Sequence, residues 1–395
     1  MKMRMHMSGR WTGVRRIAIF AALGILMLGC GKNSYEGKII AVELEGAPGN
    51  LEGAQLVVMD PDRPGQAPRR LLKNFESSAS PSLSHEGRFL YFQGRQKDAG
   101  PWQIFVMDLK KGEVSQVTHL PEDCTHPASL PDGNVVFSRE RKIEGIMSQD
   151  LWKCMMDGCC LMQLTHNPAR NTFPSILWEG RILYSSKQVY PEAREEQLMI
   201  MRPDGTKSEL YTAGKSGLIP FSGGSESPDG HMYFISTGEQ LSRVLHRRPL
   251  HTFENLSENL DGRFASVSAH VDSTCLVSYL PPDGSNYGIY RMDPRDTGSP
   301  ELLFESQKNL VDPLPLAATD PRPRILPSPV DPSKPTAILM TQDINHSSIP
   351  LNEGITGDSV ADRIRYSNMD GELGVVEVKD DGSVYVKLDA DTPFR

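Results

Sequence analysis

Cysteine and histidine are the residues here with the most chemistry to offer, and six of them crowd one stretch: Cys124, His126, Cys154, Cys159, Cys160 and His166. A zinc ion would need closely spaced pairs of them converging on one point. Only Cys154 and Cys159, with four residues between them, approach that spacing, so no metal site is expected. Oxidation is the other chemistry open to them. Met155-Met156-Asp157-Gly158 turns the chain back from Cys154 to Cys159, which makes Cys154–Cys159 a candidate disulfide in an oxidising compartment, with Cys160 or Cys124 as alternative partners.

Other candidates read as structure. His119, His126 and His166 follow closing strands at similar offsets, as repeat-related polar contacts would. Asp60, Asp108 and Asp293 end short apolar runs, where an Asp side chain caps backbone N–H groups. The chain has no Gly-x-Ser-x-Gly elbow for a serine nucleophile. It also has no Gly-x-x-x-x-Gly-Lys-Ser/Thr loop for a phosphate. No catalytic residue and no cofactor is therefore assigned.

Cys30 is the exception. Residues 1–16 carry five basic and no acidic residues, the run Ile17 to Leu28 is apolar, and Gly29-Cys30 follows. That order makes a cleavable signal segment, since 12 apolar residues are too short to span a bilayer core of roughly 30 Å. Met27-Leu28-Gly29-Cys30 resembles the bacterial lipobox, which implies acylation of the Cys30 thiol. Gly31 in place of Asp then favours the outer over the inner membrane, on the periplasmic side of the envelope. Loss of residues 1–29 moves the net charge from -8 to -13. So acidic a chain has no electrostatic footprint for nucleic acid.

The elements that carry these residues repeat. The strand pattern ending in Met-Asp occurs at Gln55–Asp60, Gln103–Asp108 and Gly288–Asp293, with Gln197–Arg202 and Asp150–Met155 as variants. In phase with it run Ser80-Pro81, His126-Pro127, Phe173-Pro174 and Ser227-Pro228, read here as turn residues, each followed by an apolar strand. A third marker closes each unit at Val117-Thr118, Leu164-Thr165 and Tyr211-Thr212. Four short strands per unit of about 47 residues is the spacing of a propeller blade. The expected fold is all-β. It has six blades over residues 36–318 (seven being the alternative), after a tether at 30–35, and residues 311–326 supply the missing innermost strand of the first. Loops at Arg139–Gln149 and Gln188–Glu196 are lengthened, and such loops carry specificity.

These repeats resemble the WD40-like repeats of TolB-type propellers over about residues 38–305. A proline-rich linker follows at 319–335, then a small C-terminal β-domain at 336–395 whose Asp380-Asp381-Gly382-Ser383 signals a hairpin. Arg322-Pro323-Arg324 and residues 373–393 resemble the hydrazine synthase alpha-subunit type of propeller protein. That type often continues into a c-type cytochrome part, but no Cys-x-x-Cys-His haem motif is present here. The family's haem roles therefore do not carry over. The expected function is non-catalytic: a propeller tethered to the membrane through its N-terminal lipid, binding an envelope protein, peptide or ligand. The alternative is an accessory subunit to a redox partner.

Overall fold

The computed structural model describes residues 35–96, 100–143, 145–190, 192–215, 217–270, 272–295, 300–318, 322–331, 333–344, 361–368, 371–390 and 394. The signal segment and Cys30 lie outside the described residues. Every regular element described is a strand.

Antiparallel four-stranded units follow one another along the chain. Phe75–Leu83, Phe89–Gln96, Gln103–Asp108 and Glu113–Gln116 pair in that order as the second unit. The third begins at Cys124–Ser129, the fourth at Ala169–Ile176, the fifth at Ser225–Glu226 and the sixth at Arg263–Ala269. A single parallel bridge, Gln149 to Arg170, joins the third and fourth units into one sheet. The first unit takes its inner strand, Asn309–Pro315, from beyond the sixth, and this strand pairs antiparallel with Ile39–Leu44. The strand expected from residues 311–326 thus exists but ends at Pro315.

The second strand of each unit carries a run of apolar residues because both faces of that stretch are covered. Side chains alternate along a strand, and here each face packs on a different neighbour. Ile40, Val42 and Leu44 face the second unit, while Ile39 and Ala41 pack with Leu276, Ile289 and Phe304 of the sixth. Likewise Val135 and Phe137 face the second unit and Val136 the fourth. No unit could bury both faces alone.

Three of the Pro markers sit elsewhere than expected. Pro81, Pro127 and Pro174 lie inside first strands rather than in turns. Each lies within a register slip. The residue before each has positive φ: Ser80 at 51°, His126 at 51° and Phe173 at 51°. Asp312, before Pro313, repeats this at 53°. Proline lacks a ladder donor and is tolerated at bulges on an edge strand, which a first strand is. The turns themselves are made by Gly87, Gly133, Gly180 and Gly230, all with positive φ.

Arg139–Gln149 is also not a loop. Asn134–Ile143 and Ile146–Met155 continue as one ladder through it, so the insertion lengthens a hairpin. After Pro315 the chain runs extended beneath the turns of successive units. Arg322 Nη2 donates to the Pro131 carbonyl at 2.6 Å, and the Arg324 N–H donates to Trp178 O at 2.9 Å. A side chain on Gly180 would sit 2.2 Å from Arg324 O, so this close approach requires glycine. Beyond it, Thr336–Thr341 pairs with Val384–Asp389 and Arg363–Ser367 with Glu372–Glu377. The turn at Gly382 forms, yet the strands on either side of it belong to different two-stranded sheets and make no hairpin.

Candidate functional site

The first strands of all the units wall one cavity of about 1080 Å³, to which Ala317, Ala318 and Pro323 of the extended segment also contribute. Its most polar arc lies where the third and fourth units meet. Arg170 and Lys187 stand directly opposite each other in the ladder between the first two strands of the fourth unit, and both line the cavity. Like charges so placed repel. Among the described residues neither side chain is hydrogen-bonded or ion-paired. Two carboxylates feel their field without pairing. Glu196 accepts from Ser185 Oγ at 2.5 Å, and burial pushes its pKa up. Glu140 is raised too, by burial and then by Asp123. The charge of Arg170 opposes both shifts.

Beside them the His126 ring packs on Phe173, centroids 4.1 Å apart, while its backbone N–H donates to Gln93 Oε1 at 2.9 Å. Burial, assisted by the charge on Arg170, pushes its pKa down to about 4, so the imidazole is neutral at pH 7. Its Nδ1 is buried without a partner, and so is Gln149 Oε1, on the residue bridged to Arg170. Buried polar atoms are satisfied in nearly all native proteins, and an orphaned pair beside free cations marks a place where something polar binds. Elsewhere on the wall, burial lifts the Asp312 carboxyl to about 6.

Just behind the arc lies a charged network. Asp150 occupies a position filled by Gln55, Gln103, Gln197 and Gln240 in the second-last strands of other units. Where Gln103 satisfies backbone groups at Trp102, Leu120 and Glu122, Asp150 needs a cation. Arg141 Nε lies 2.9 Å from its Oδ2 but off the hydrogen-bonding line. Thr165 and Gln163 donate to the carboxylate at 3.4 and 3.1 Å. Burial prevails over Arg141 and lifts the Asp150 pKa to about 7.

The six cysteines and histidines singled out in the sequence do not converge on one point. Cys124 and Cys154 are core residues between the second and third units, and burial pushes each thiol up to about 12. Cys159 and Cys160 are exposed. Cys154 and Cys159 are unbonded free thiols, because the pleat turns Cys154 inward while the turn presents Cys159 to solvent. His119 and His166 share an offset after Thr118 and Thr165, but His126 belongs to the cavity and not to that series. Those threonines cap the next-inner strand: Thr118 Oγ1 and Thr165 Oγ1 accept from Ile104 N–H and Leu151 N–H at 2.8 Å. Asp60, Asp108 and Asp293 cap turn N–H groups. Arg170, Lys187 and Asp312 were not foreseen. Asp312-Pro313, one more step of the x-Pro series, was a signal that could have found the last.

Face-to-face four-stranded units with their first strands around one cavity make this chain a β-propeller. Solved structures with this fold include hydrazine synthase of Kuenenia stuttgartiensis, with a TM-score of 0.73 and 16% identity over 91% of this chain and 65% of that one. They also include TolB of Acinetobacter baumannii, with a TM-score of 0.47 and 15% identity over 71% of this chain and 66% of that one. No family model and no curated protein matches the sequence. At such identities the likeness is one of fold. The chain spans 65% of the length of the hydrazine synthase chain it matches.

Proposed function

We propose that this protein is a lipid-anchored, extracytoplasmic propeller of six blades that binds an envelope protein or ligand by seating an anionic group against Arg170 and Lys187. Cys30 carries the lipid and places the propeller on the periplasmic side, at the outer membrane. Pairing of Ile39–Leu44 with Asn309–Pro315 closes the ring. The observation that carries the binding role is the facing cation pair in the central cavity, neither member hydrogen-bonded or ion-paired among the described residues, flanked by the buried, unpartnered His126 Nδ1. A carboxylate or phosphate there would relieve the repulsion and accept charge-assisted hydrogen bonds. Purification from detergent-solubilised membranes is expected to bring down a stoichiometric partner. The R170E/K187E variant should weaken it by about tenfold or more, the scale of one hydrogen bond to a charged group at about 1.5–3 kcal/mol. Retention of the partner by that variant, or no partner across several detergents, would overturn the reading.

A second reading is favoured by the fold match to hydrazine synthase, which covers 91% of this chain. On that reading the propeller is an accessory subunit of a multihaem redox complex whose haems sit on another chain. The same preparation would then show the absorbance of c-type haem in proportion to this chain. A haem-free partner would dismiss it.

A further inference from the structure

The hairpin turn at the outer edge of the third blade gathers sulfur. In Cys154-Met155-Met156-Asp157-Gly158-Cys159-Cys160-Leu161-Met162, Cys154 points into the core. The next sulfur residues do not. Met155 is 47% exposed, Met156 38% and Met162 42%, and Cys159 and Cys160 are exposed as well. An apolar side chain normally seeks cover, so several exposed thioethers on one turn need a reason. Their geometry offers one. Cys159 Sγ lies 3.4 Å from Met155 Sδ and 3.2 Å from Cys160 Sγ. Sulfurs this close can share one ion at metal–sulfur bonds of about 2.3 Å. The turn is held in this shape from below. Gly158 packs against the Val117 carbonyl, where a side chain would sit 2.2 Å from the oxygen, and Met155 N–H donates to Cys159 O at 3.0 Å.

We propose that Met155, Cys159 and Cys160 form a surface site for copper(I). Two thiolates and a thioether are soft donors, and soft donors select copper(I) over magnesium, calcium or manganese. Zinc is the weaker match, because its structural sites are four-coordinate with Cys and His ligands. Three sulfurs and no imidazole instead suit an ion content with three ligands. Each thiol binds as its thiolate, so the incoming ion must displace the thiol protons. Binding therefore tightens as pH rises. This inference stands apart from the cavity and does not depend on what fills it.

The test uses the full-length protein, reduced and kept free of oxygen, titrated with copper(I) against a chromophoric copper(I) chelator. The expected result is one copper(I) held per chain, with Cys159 and Cys160 protected from alkylation as read by mass spectrometry. Met155→Leu should weaken the site by at least the roughly 10–100-fold that loss of an outer-shell partner already costs. C159S/C160S should abolish it, while Cys275→Ser, a substitution in the core between the fifth and sixth blades, should leave it unchanged. The changes at Met155, Cys159 and Cys160 lie on an exposed turn, so circular dichroism should match the parent. Failure of the parent protein to hold copper, or equal affinity in C159S/C160S, would overturn the proposal.

Discussion

A chain ending at Ser306 should yield no folded protein, whereas one ending at Ala318 should still unfold cooperatively in urea. The difference is the strand Asn309–Pro315. It pairs with Ile39–Leu44 over most of its length and buries Leu310 and Val311, with Leu316 just beyond. Each such side chain contributes roughly 1.5–3 kcal/mol, and the ladder hydrogen bonds add about 0.5–1.5 kcal/mol apiece. Together they rival the about 5–15 kcal/mol that holds a typical domain folded. The loss is larger still because Ile39–Leu44 becomes an open edge and Leu44, at 1% exposure, loses its cover. The chain ending at Ala318 keeps all of this and gives up the contacts of Arg322, Arg324 and Pro327 beneath the turns and the C-terminal strand pairs, none of which covers the first unit's inner edge. Near-UV circular dichroism and the urea midpoint distinguish the two. Equal midpoints would mean that the first and last strands do not close the structure.

Much of this architecture was legible because repetition and two-sided burial leave marks in sequence. The Met-Asp endings, the closing Leu-Thr pairs and the glycine turns are each tied to one backbone hydrogen bond or one φ value, so they recur at fixed spacing. The cavity was less legible. Its walls are first strands, which share their residues between the core and the cavity, and Arg170 and Lys187 have no repeat to announce them. The x-Pro steps were visible but were assigned to turns, since proline in a strand is ordinarily excluded. A bulge on an inner edge, where no ladder donor is needed, is the circumstance that admits it. The Cys154–Cys159 pairing failed on a pleat. Alternation puts Cys154 between two blades, a fact that depends on which face each neighbour covers. Asp150 was seen as filling a gap in the repeat, although the consequence of an acid at a glutamine position needed Arg141 to be placed.

That exception supports the sharpest stability prediction. Arg141→Leu should cost more at pH 8 than at pH 5, by up to about 1.4 kcal/mol, the worth of the one pH unit that separates pH 8 from the parent's folded pKa of about 7. The Asp150 side chain is 1% exposed. In the folded parent its pKa is lifted by burial to about 7, with Arg141 pulling the other way, against 3.8 for the free side chain. A carboxyl raised on folding binds more protons in the native state than in the unfolded one. Its contribution is therefore most favourable below about pH 4 and is lost as pH rises through 7. Without Arg141 the folded pKa moves higher, so stability keeps falling through pH 8 as the unfolded chain ionises and the native carboxyl does not. Asp150→Asn in the Arg141→Leu background removes the titrating group and should abolish the difference in penalty between pH 5 and pH 8. Urea midpoints of the parent, the single and the double variant at pH 5 and pH 8 decide the matter. If the Arg141→Leu penalty is the same at both pH values, Asp150 is not the group that Arg141 holds.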